Sequence, residues 1–201
     1  MLNIREYSQF FIKKSFDLPA YKPKKKIKIA EKYDYLFYEI FHKIHNLDST
    51  SFIPYIERQE KMKIAESIEK IKMKSHDFIL NNIMYDFNIH LITLNAVCLF
   101  YKINLLFIKD ATYIKMFHSE SEKVLVMNDK YKFINYDDDI YNTHYEITNL
   151  LKPLNSVSYY KVDELVSIAQ KIHIPHEKVK KKDLYDSIYN YLVKLNIFKI
   201  D

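Results

Sequence analysis

The sequence predicts an α+β fold with a helical N-terminal half, a small β-sheet in the middle and a C-terminal helical hairpin. Apolar residues recur at helical spacing from residue 34 to residue 103. Short runs of β-branched and aromatic residues follow up to residue 137, and helical spacing returns after residue 156. Helices and strands that follow each other in separate blocks are typical of the α+β class.

The first half of the chain contains four predicted helices. Asp34 suits an N-cap, and an apolar stripe follows it over residues 36–44. Residues 55–75 are predicted as a charged amphipathic helix and residues 76–86 as a short helix. Residues 88–103 form the fourth predicted helix. Its apolar face comprises Leu94, Val97, Cys98 and Tyr101.

The middle of the chain is predicted to form a small antiparallel or mixed sheet. The predicted strands are residues 104–110, 113–119, 123–129 and 130–137. The chain contains no glycine, so tight turns with positive φ are expected to use Asn or Asp, as at Asn128 and Asp129. Residues 137–153 are polar at first and end at a proline, which predicts a loop.

The C-terminal part is predicted as two short helices joined by an extended connector. Ser158 suits the N-cap of the first helix, and Pro175 lies in the connector. The second helix has an apolar face formed by Leu184, Ile188, Tyr191 and Leu192. We divide the chain into a basic arm or irregular lead-in (1–30), an α+β domain (31–152) and a helix–extension–helix module (156–201).

Composition excludes several classes of site. A chain of 201 residues with 48% hydrophobic residues is long enough and apolar enough to bury a core. Without glycine it has no Walker loop or dinucleotide-binding loop, because these need glycine where the backbone approaches phosphate. Its one cysteine excludes an intramolecular disulfide and any multi-cysteine zinc site. We therefore expect no cofactor and no metal.

The sequence also predicts a soluble protein in a reducing compartment. The first residues lack the apolar core and the cleavage site of a signal peptide. No apolar run approaches the length that crosses a bilayer, so no membrane partner is expected.

Positive charge is concentrated at the two ends of the chain. Residues 1–30 carry a net charge of +6, residues 31–157 carry −3 and residues 158–201 carry +2. The N-terminal excess includes Lys24, Lys25 and Lys26. AT-rich codon usage favours lysine, asparagine, isoleucine and tyrosine, so not every lysine has to be a ligand. The clustering of lysines carries more information than their number.

The order of elements from Tyr159 to Leu195 resembles the SAP module, a helix–extension–helix unit of DNA- and RNA-associated proteins. The matching stretches are "YYKVDELVSIAQKIHIP" and "KKDLYDSIYNYL". This chain has His173-Ile174-Pro175-His176 where SAP modules usually have a glycine in the turn. The resemblance implies that the start of the second helix approaches the nucleic-acid backbone.

The expected nucleic-acid-binding residues are the lysines at this position, the neighbouring tyrosine and the lysines of the basic arm. They are Lys178, Lys180, Lys181, Lys182, Tyr185, Lys24, Lys25 and Lys26. Clustered cations neutralise phosphates without reading sequence, and a tyrosine ring offers a stacking surface for bases. The expected partner is the backbone of DNA or RNA, with both left open.

A larger part of the chain resembles proteins of nucleocytoplasmic large DNA viruses, the giant-virus group. In these, a small α/β domain precedes a SAP-like tail that begins with the phrase seen here as "KPLNSVSYYK" at residues 152–161. The resemblance implies a viral protein with viral protein partners, located in the host cytoplasm at the viral factory or in the virion. The oligomeric state stays open.

Two alternatives come from other functional classes. The stretch "DYLFYE" at residues 34–39 resembles the start of a papain-like protease domain, with Glu39 where the nucleophilic thiol would lie. A divergent or inactive papain-like cysteine protease is thus one alternative, with Cys98 as nucleophile and His118 or His144 as its base. The other is a structural or scaffolding subunit of a virion, transcription or translation assembly that does not bind nucleic acid.

Three further clusters are interpreted as surface features. His42 and His45 are three residues apart on a predicted helix, without a third ligand at a diagnostic spacing. His173 and His176 lack a third ligand in the same way. The three aspartates at residues 137–139 lack the interleaved glycine of a calcium loop and are expected to be a solvated acidic loop.

Overall fold

The computed structural model describes residues 33–46 and 54–195, so Lys24, Lys25 and Lys26 of the basic arm lie outside the described residues. The helices within these ranges are α1 (Tyr35–His45), α2 (Pro54–Ile68), α3 (His76–Tyr85), α4 (Leu91–Tyr101), α5 (Ile140–Thr143), α6 (Val162–Lys171) and α7 (Lys181–Lys194). The strands are β1 (Asn104–Lys109), β2 (Thr112–Phe117), β3 (Val124–Asn128), β4 (Phe133–Ile134) and β5 (Tyr145–Glu146). These elements confirm the predicted α+β class.

The helices of the first half follow the predicted apolar stripes. Asp34 caps α1 as expected, because its Oδ1 accepts a hydrogen bond from the backbone N–H of Phe37 at 3.1 Å. α2 ends at Ile68 rather than at residue 75, because the chain reverses there and α3 packs back against α2. Within the described ranges, no helix combines the length and the apolar character needed to cross a bilayer.

The five strands form one mixed sheet in the order β4-β3-β1-β2-β5. β1 and β2 form an antiparallel hairpin with a two-residue turn at Asp110 and Ala111. β3 lies parallel to β1 on the other side, and β4 is antiparallel to β3. β5 is parallel to β2 and pairs only with its first two residues, Thr112 and Tyr113. The remainder of β2 therefore lies at an edge of the sheet.

The sheet is covered on both faces. Leu105 and Phe107 of β1 belong to the main hydrophobic core, together with buried residues of the first four helices. Leu106 points to the other face and packs with Ile140 of α5 in a smaller cluster. β1 is consequently buried on both sides, which explains why its sequence is a continuous apolar run.

A buried ionic network connects α1, α2 and the segment before α4. The Nζ of Lys61 lies 2.9 Å from Asp34 Oδ2 and 2.9 Å from Glu57 Oε1. Asp34 Oδ2 also accepts a hydrogen bond from the backbone N–H of Ile89 at 2.8 Å. The one ammonium group thus lies between two carboxylates and attracts both at short range. The network has a structural role, because removing one of its members would leave an unpaired buried charge and destabilise the fold.

The two C-terminal helices pack on the rest of the described chain through the same hydrophobic core. Leu165 of α6 and Leu184 of α7 are buried in the main cluster. The hydroxyl of Tyr185 donates a hydrogen bond to the Asn155 carbonyl at 2.7 Å. The Nζ of Lys171 donates to the Tyr141 carbonyl at 3.0 Å. These contacts fix the direction in which α7 presents its first turn.

The predicted loop at residues 137–153 is wrong in part. It contains the short helix α5 and the two-residue strand β5, whose backbone pairs with β2 far away in sequence. The predicted N-cap Ser158 is also wrong. α6 starts after Lys161, whose backbone N–H donates to Glu164 Oε2 at 2.6 Å, so a reciprocal bond from within the first turn fixes the start.

The expectation that Asn and Asp would replace glycine at positive φ is wrong for most positions. Among the described residues, positive φ occurs at Asn46, Ser75, Lys102, Asp110, Tyr131, His173 and Lys178. Five of these are neither Asn nor Asp. A left-handed residue with a Cβ costs roughly 1–2 kcal/mol, which tertiary packing must offset where no glycine is available.

Candidate nucleic-acid interface

The lysine cluster, defined as Lys178, Lys180, Lys181 and Lys182, lies where the connector meets α7. Lys178 has φ 54° in the left-handed region, and Lys180 is the N-cap of α7 in extended conformation. Lys181 is half-buried and the other three side chains are exposed. The local turn thus brings all four lysines to one end of α7.

Within residues 33–46 and 54–195, no acidic side chain forms an ion pair with these lysines. Glu177 and Asp183 flank the cluster in sequence, which leaves a net charge of +2 over residues 177–183. Unpaired surface cations of this kind remain available to an anion from outside the protein.

The first turn of α7 adds partial positive charge of its own. Lys180 makes no side-chain cap, and the first hydrogen bond of the helix runs from the Leu184 N–H to the Lys180 carbonyl at 3.0 Å. The N–H groups of Lys181, Lys182 and Asp183 have no acceptor in the part of the chain that is described. An anion placed here would meet lysine side chains, free N–H groups and the positive end of the helix dipole together.

Tyr185 lies one turn further along α7 and already has a structural contact. Its hydroxyl bonds to the Asn155 carbonyl, and its ring stacks against Tyr189 with the centroids 6.3 Å apart. Tyr189 is 43% exposed and carries the more accessible ring of the pair. A stacking role beside the lysine cluster thus fits Tyr189 better than Tyr185, which the sequence had singled out.

The geometry around Cys98 provides no activated nucleophile. The thiol is buried in α4, as the apolar face predicted, and this burial raises its pKa far above the ordinary value. His118 Nε2 lies 2.8 Å from Asn95 Oδ1 and makes no hydrogen bond to Cys98. His144 hydrogen-bonds with Thr143 and belongs to a different part of the chain.

Glu39 occupies the middle of α1. Its Oε1 accepts a hydrogen bond from Lys132 Nζ at 2.8 Å, and burial raises the pKa of its carboxyl group. This ion pair links α1 to the turn between β3 and β4. It is a structural contact, and a carboxylate cannot replace a thiolate as the attacking group.

The other histidine and aspartate clusters make contacts with residues that are close to them in sequence. The ring of His42 lies 4.1 Å from the Tyr38 ring, and His176 Nδ1 lies 3.1 Å from the Ile174 carbonyl. Asp137 Oδ1 accepts a hydrogen bond from the Asp139 N–H at 3.0 Å just before α5. Over residues 33–46 and 54–195, no group of three His, Cys, Asp or Glu side chains is arranged to hold a metal ion.

Comparison of the chain with protein-family models, with curated proteins and with solved structures gives no match. The interpretation of the site therefore depends on the chain's own geometry and charge.

Sequence reasoning found the lysine cluster but missed two features that the fold creates. The buried pairing of Lys61 with Asp34 and Glu57 was hidden, since these two residues of α2 are not distinguished in sequence from the many other charged residues of that helix. The free edge of β2 was hidden because its length depends on where β5 stops. The one available signal was the i,i+4 spacing of Glu57 and Lys61, which is common on exposed helices too.

Proposed function

We propose that this chain is a non-enzymatic nucleic-acid-associated adaptor, which contacts a phosphate backbone through the lysine cluster and protein partners through its α+β part. The observation that carries the proposal is the charge at the start of α7. Three lysines occupy the N-cap and the first two helical positions, where the helix dipole favours acidic side chains.

The placement is unfavourable for the helix itself. Each cation at the positive end of the dipole lowers helix stability by a few tenths of a kcal/mol when exposed. No carboxylate among the described residues forms an ion pair with these lysines. A bound polyanion would interact favourably with the unpaired lysines and with the positive end of the helix dipole. Phosphate binding would therefore account for an arrangement that lowers the stability of the helix itself.

The resemblance of the stretch from Tyr159 to Leu195 to a SAP module supports the same assignment, since it implies a role for this helix start at the nucleic-acid backbone. Backbone contact of this kind gives affinity without sequence preference. The resemblance to giant-virus proteins adds a setting to the proposal. The protein would act in the host cytoplasm at the viral factory, or in the virion, beside viral partners.

The test is binding of the purified chain to labelled duplex DNA, single-stranded DNA and RNA over a series of salt concentrations. Wild type should bind at low salt and lose affinity steeply as salt rises, because bound cations release condensed counterions. The comparison variants are the triple change of Lys180, Lys181 and Lys182 to Glu, and a control with Lys70, Lys72 and Lys130 changed to Glu.

The control changes the same number of lysines, all three exposed and none of them in an ion pair among the described residues. Net charge falls equally in both variants, so a general electrostatic effect would weaken both alike. Binding that is lost only in the α7 variant supports the proposal. Absence of binding by wild type at low salt would leave the structural-subunit alternative in its place.

A further inference from the structure

Tyrosines from two parts of the chain form one aromatic surface beside the lysine cluster. Tyr159 and Tyr160 lie just before α6, and their ring centroids are 5.0 Å apart in a T-shaped arrangement. Tyr185 and Tyr189 lie about one turn apart on α7, and their ring planes differ by 11°. These residues are called the tyrosine surface below.

The backbone of Asn155 connects the two pairs of tyrosines. Its carbonyl accepts a hydrogen bond from the Tyr185 hydroxyl at 2.7 Å, and its N–H donates to the Tyr160 hydroxyl at 3.1 Å. Both of these rings are half-buried and pack against the main hydrophobic core. The fold thus fixes the position of one pair relative to the other.

The outer ring of each pair is exposed. Tyr159 is 69% exposed and Tyr189 is 43% exposed, and neither belongs to the main hydrophobic core. An aromatic ring that is held at the surface without being buried offers a face on which another flat ring can stack. Tyr160 and Tyr185 therefore support the surface, whereas Tyr159 and Tyr189 are accessible to a ligand.

The tyrosines of α7 share one side of the helix with part of the lysine cluster. Successive residues of an α-helix are about 100° apart, so residues three, four, seven and eight positions apart fall within a stripe about 100° wide. The residues in this stripe are Lys181, Lys182, Tyr185 and Tyr189. Asp186 lies outside the stripe, and Asp183 lies on the far side of α7. Lys182 and Tyr189 are about 10 Å apart along the helix axis, so one short strand can reach both.

The pair before α6 also lies in a cationic segment. Residues 147–161 contain Lys152 and Lys161 and no Asp or Glu. Both lysines are exposed, and neither belongs to an ion pair within residues 33–46 and 54–195. Asp163 and Glu164 follow in α6, where the Glu164 carboxylate accepts the Lys161 N–H at 2.6 Å. Each pair of tyrosines thus has unpaired lysines close to it in sequence.

We propose that the tyrosine surface binds unpaired bases, so that this chain prefers single-stranded DNA or RNA to a duplex. Tyr159 and Tyr189 would each stack on a base, while the lysine cluster contacts phosphates of the same strand. In a duplex the base faces are stacked on one another and out of reach of a surface side chain. A single strand presents base faces and phosphates together, which matches the combination of rings and lysines on this side of the molecule.

This inference rests on the proposed function and adds the class of nucleic acid to it. Stacking uses the face that every base has, so it gives affinity without sequence preference, as phosphate contact does. The two contributions are separable because they come from different side chains. The lysine cluster acts on the phosphates, and the exposed tyrosine rings act on the bases.

The experiment measures binding of the full chain to four labelled oligonucleotides of about sixteen nucleotides in one low-salt buffer. They are single-stranded DNA, single-stranded RNA, duplex DNA and an abasic DNA strand. The abasic strand keeps the phosphates and has nothing to stack. We expect wild type to bind both base-bearing single strands at least about tenfold more tightly than the duplex and the abasic strand.

The variants separate the rings from the rest of the surface. Tyr159→Ala with Tyr189→Ala removes both exposed rings and keeps the two hydroxyl groups that bind the Asn155 backbone. It should lower the affinity for single strands at least about tenfold, to the level of the abasic strand. Phenylalanine at both positions keeps the rings and should keep the affinity. Tyr55→Ala with Tyr85→Ala is the matched control, because it removes two exposed tyrosines of α2 and α3.

Several results would overturn the inference while leaving phosphate contact in place. These are a duplex bound as tightly as the single strands, equal affinity for the abasic and base-bearing strands, and equal losses in the alanine variant and its control. Equal affinity for abasic and base-bearing strands is also the result for a tyrosine surface that serves a protein partner. Conversely, single-strand affinity unchanged on converting Lys180, Lys181 and Lys182 to Glu would contradict the proposed function and not the stacking. Absence of binding to all four oligonucleotides would overturn both.

Discussion

The two C-terminal helices, α6 and α7, begin in opposite electrostatic settings. Both have a lysine at the N-cap. The first turn of α6 then contains Asp163 and Glu164, and the Glu164 carboxylate accepts the Lys161 N–H at 2.6 Å. The first turn of α7 contains Lys181 and Lys182 before its single acidic residue, and it has no side-chain cap.

The first turn of α6 has the features that stabilise a helix start, whereas the first turn of α7 has features that favour an external anion. The start of α6 satisfies a free N–H group and places negative charge at the positive end of the dipole, which stabilises the helix. The start of α7 has no side-chain cap, and its two lysines outnumber its one acidic residue, Asp183, so the charge of its first turn stays positive. A helix start of this type is stable because Leu184 and Ile188 bury its other face in the core. Packing thus tolerates a first turn suited to binding anions.

The largest expected effect is on nucleic-acid affinity. Changing Lys180, Lys181 and Lys182 to Glu should weaken binding by about 100-fold at low salt and reduce the slope of log affinity against log salt by about 3. The reason is the loss of three phosphate contacts and the addition of three repelling charges. Fluorescence anisotropy with labelled duplex and single strands measures both quantities. An unchanged slope would place the binding surface elsewhere.

The next effect concerns the stability that α6 gains from its first turn. Glu164→Ala should lower the free energy of unfolding by about 1 kcal/mol, because the Lys161 N–H loses its acceptor. Denaturant unfolding measures this change. Glu177→Ala is the control, since Glu177 is exposed and in no ion pair within residues 33–46 and 54–195. If Glu164→Ala also lowered the affinity for nucleic acid, the start of α6 would contribute to binding. That result would contradict the contrast between the two helices.

The smallest effect has the opposite sign. Lys182→Glu should raise the free energy of unfolding by about 0.5 kcal/mol, because an acidic side chain in the first turn of α7 matches the helix dipole. Lys194→Glu, in the last turn of the same helix, should lower it by a similar amount. Both differences should shrink in 1 M salt, where exposed charges are screened. Equal destabilisation by both changes would show that the dipole does not govern this helix.

The sequence predicted the longer helices and most strands because their patterns are local, but it missed the four-residue helix α5. The apolar stripes of α1, α4 and α7 correctly identified the buried faces, including Leu36, Cys98 and Leu184. β5 was missed because a two-residue strand has no pattern of its own and exists through pairing with β2. The N-cap prediction at Ser158 failed for a local reason, because Glu164 accepts the Lys161 N–H and so fixes the start of α6.

The candidate site likewise has one part that the sequence predicted and another that only the fold shows. The lysine cluster is contiguous in sequence and was visible there. Its lack of ion pairs and the contact that holds Tyr185 to Asn155 depend on residues distant in the chain, so only the fold shows them. The cavity beside β2 was not predictable, because its walls come from α4, β2 and residues 147–151.

The most direct test gives α7 the kind of start that α6 has. In the double variant Lys180→Asp with Lys182→Glu, an aspartate would cap the helix and a glutamate would lie in its first turn. The free energy of unfolding and the dissociation constant for duplex DNA, single-stranded DNA and RNA are measured in one low-salt buffer. We expect opposite changes: the free energy of unfolding rises by about 1 kcal/mol while the affinity falls at least about tenfold. A variant that becomes more stable and binds as wild type does would contradict it.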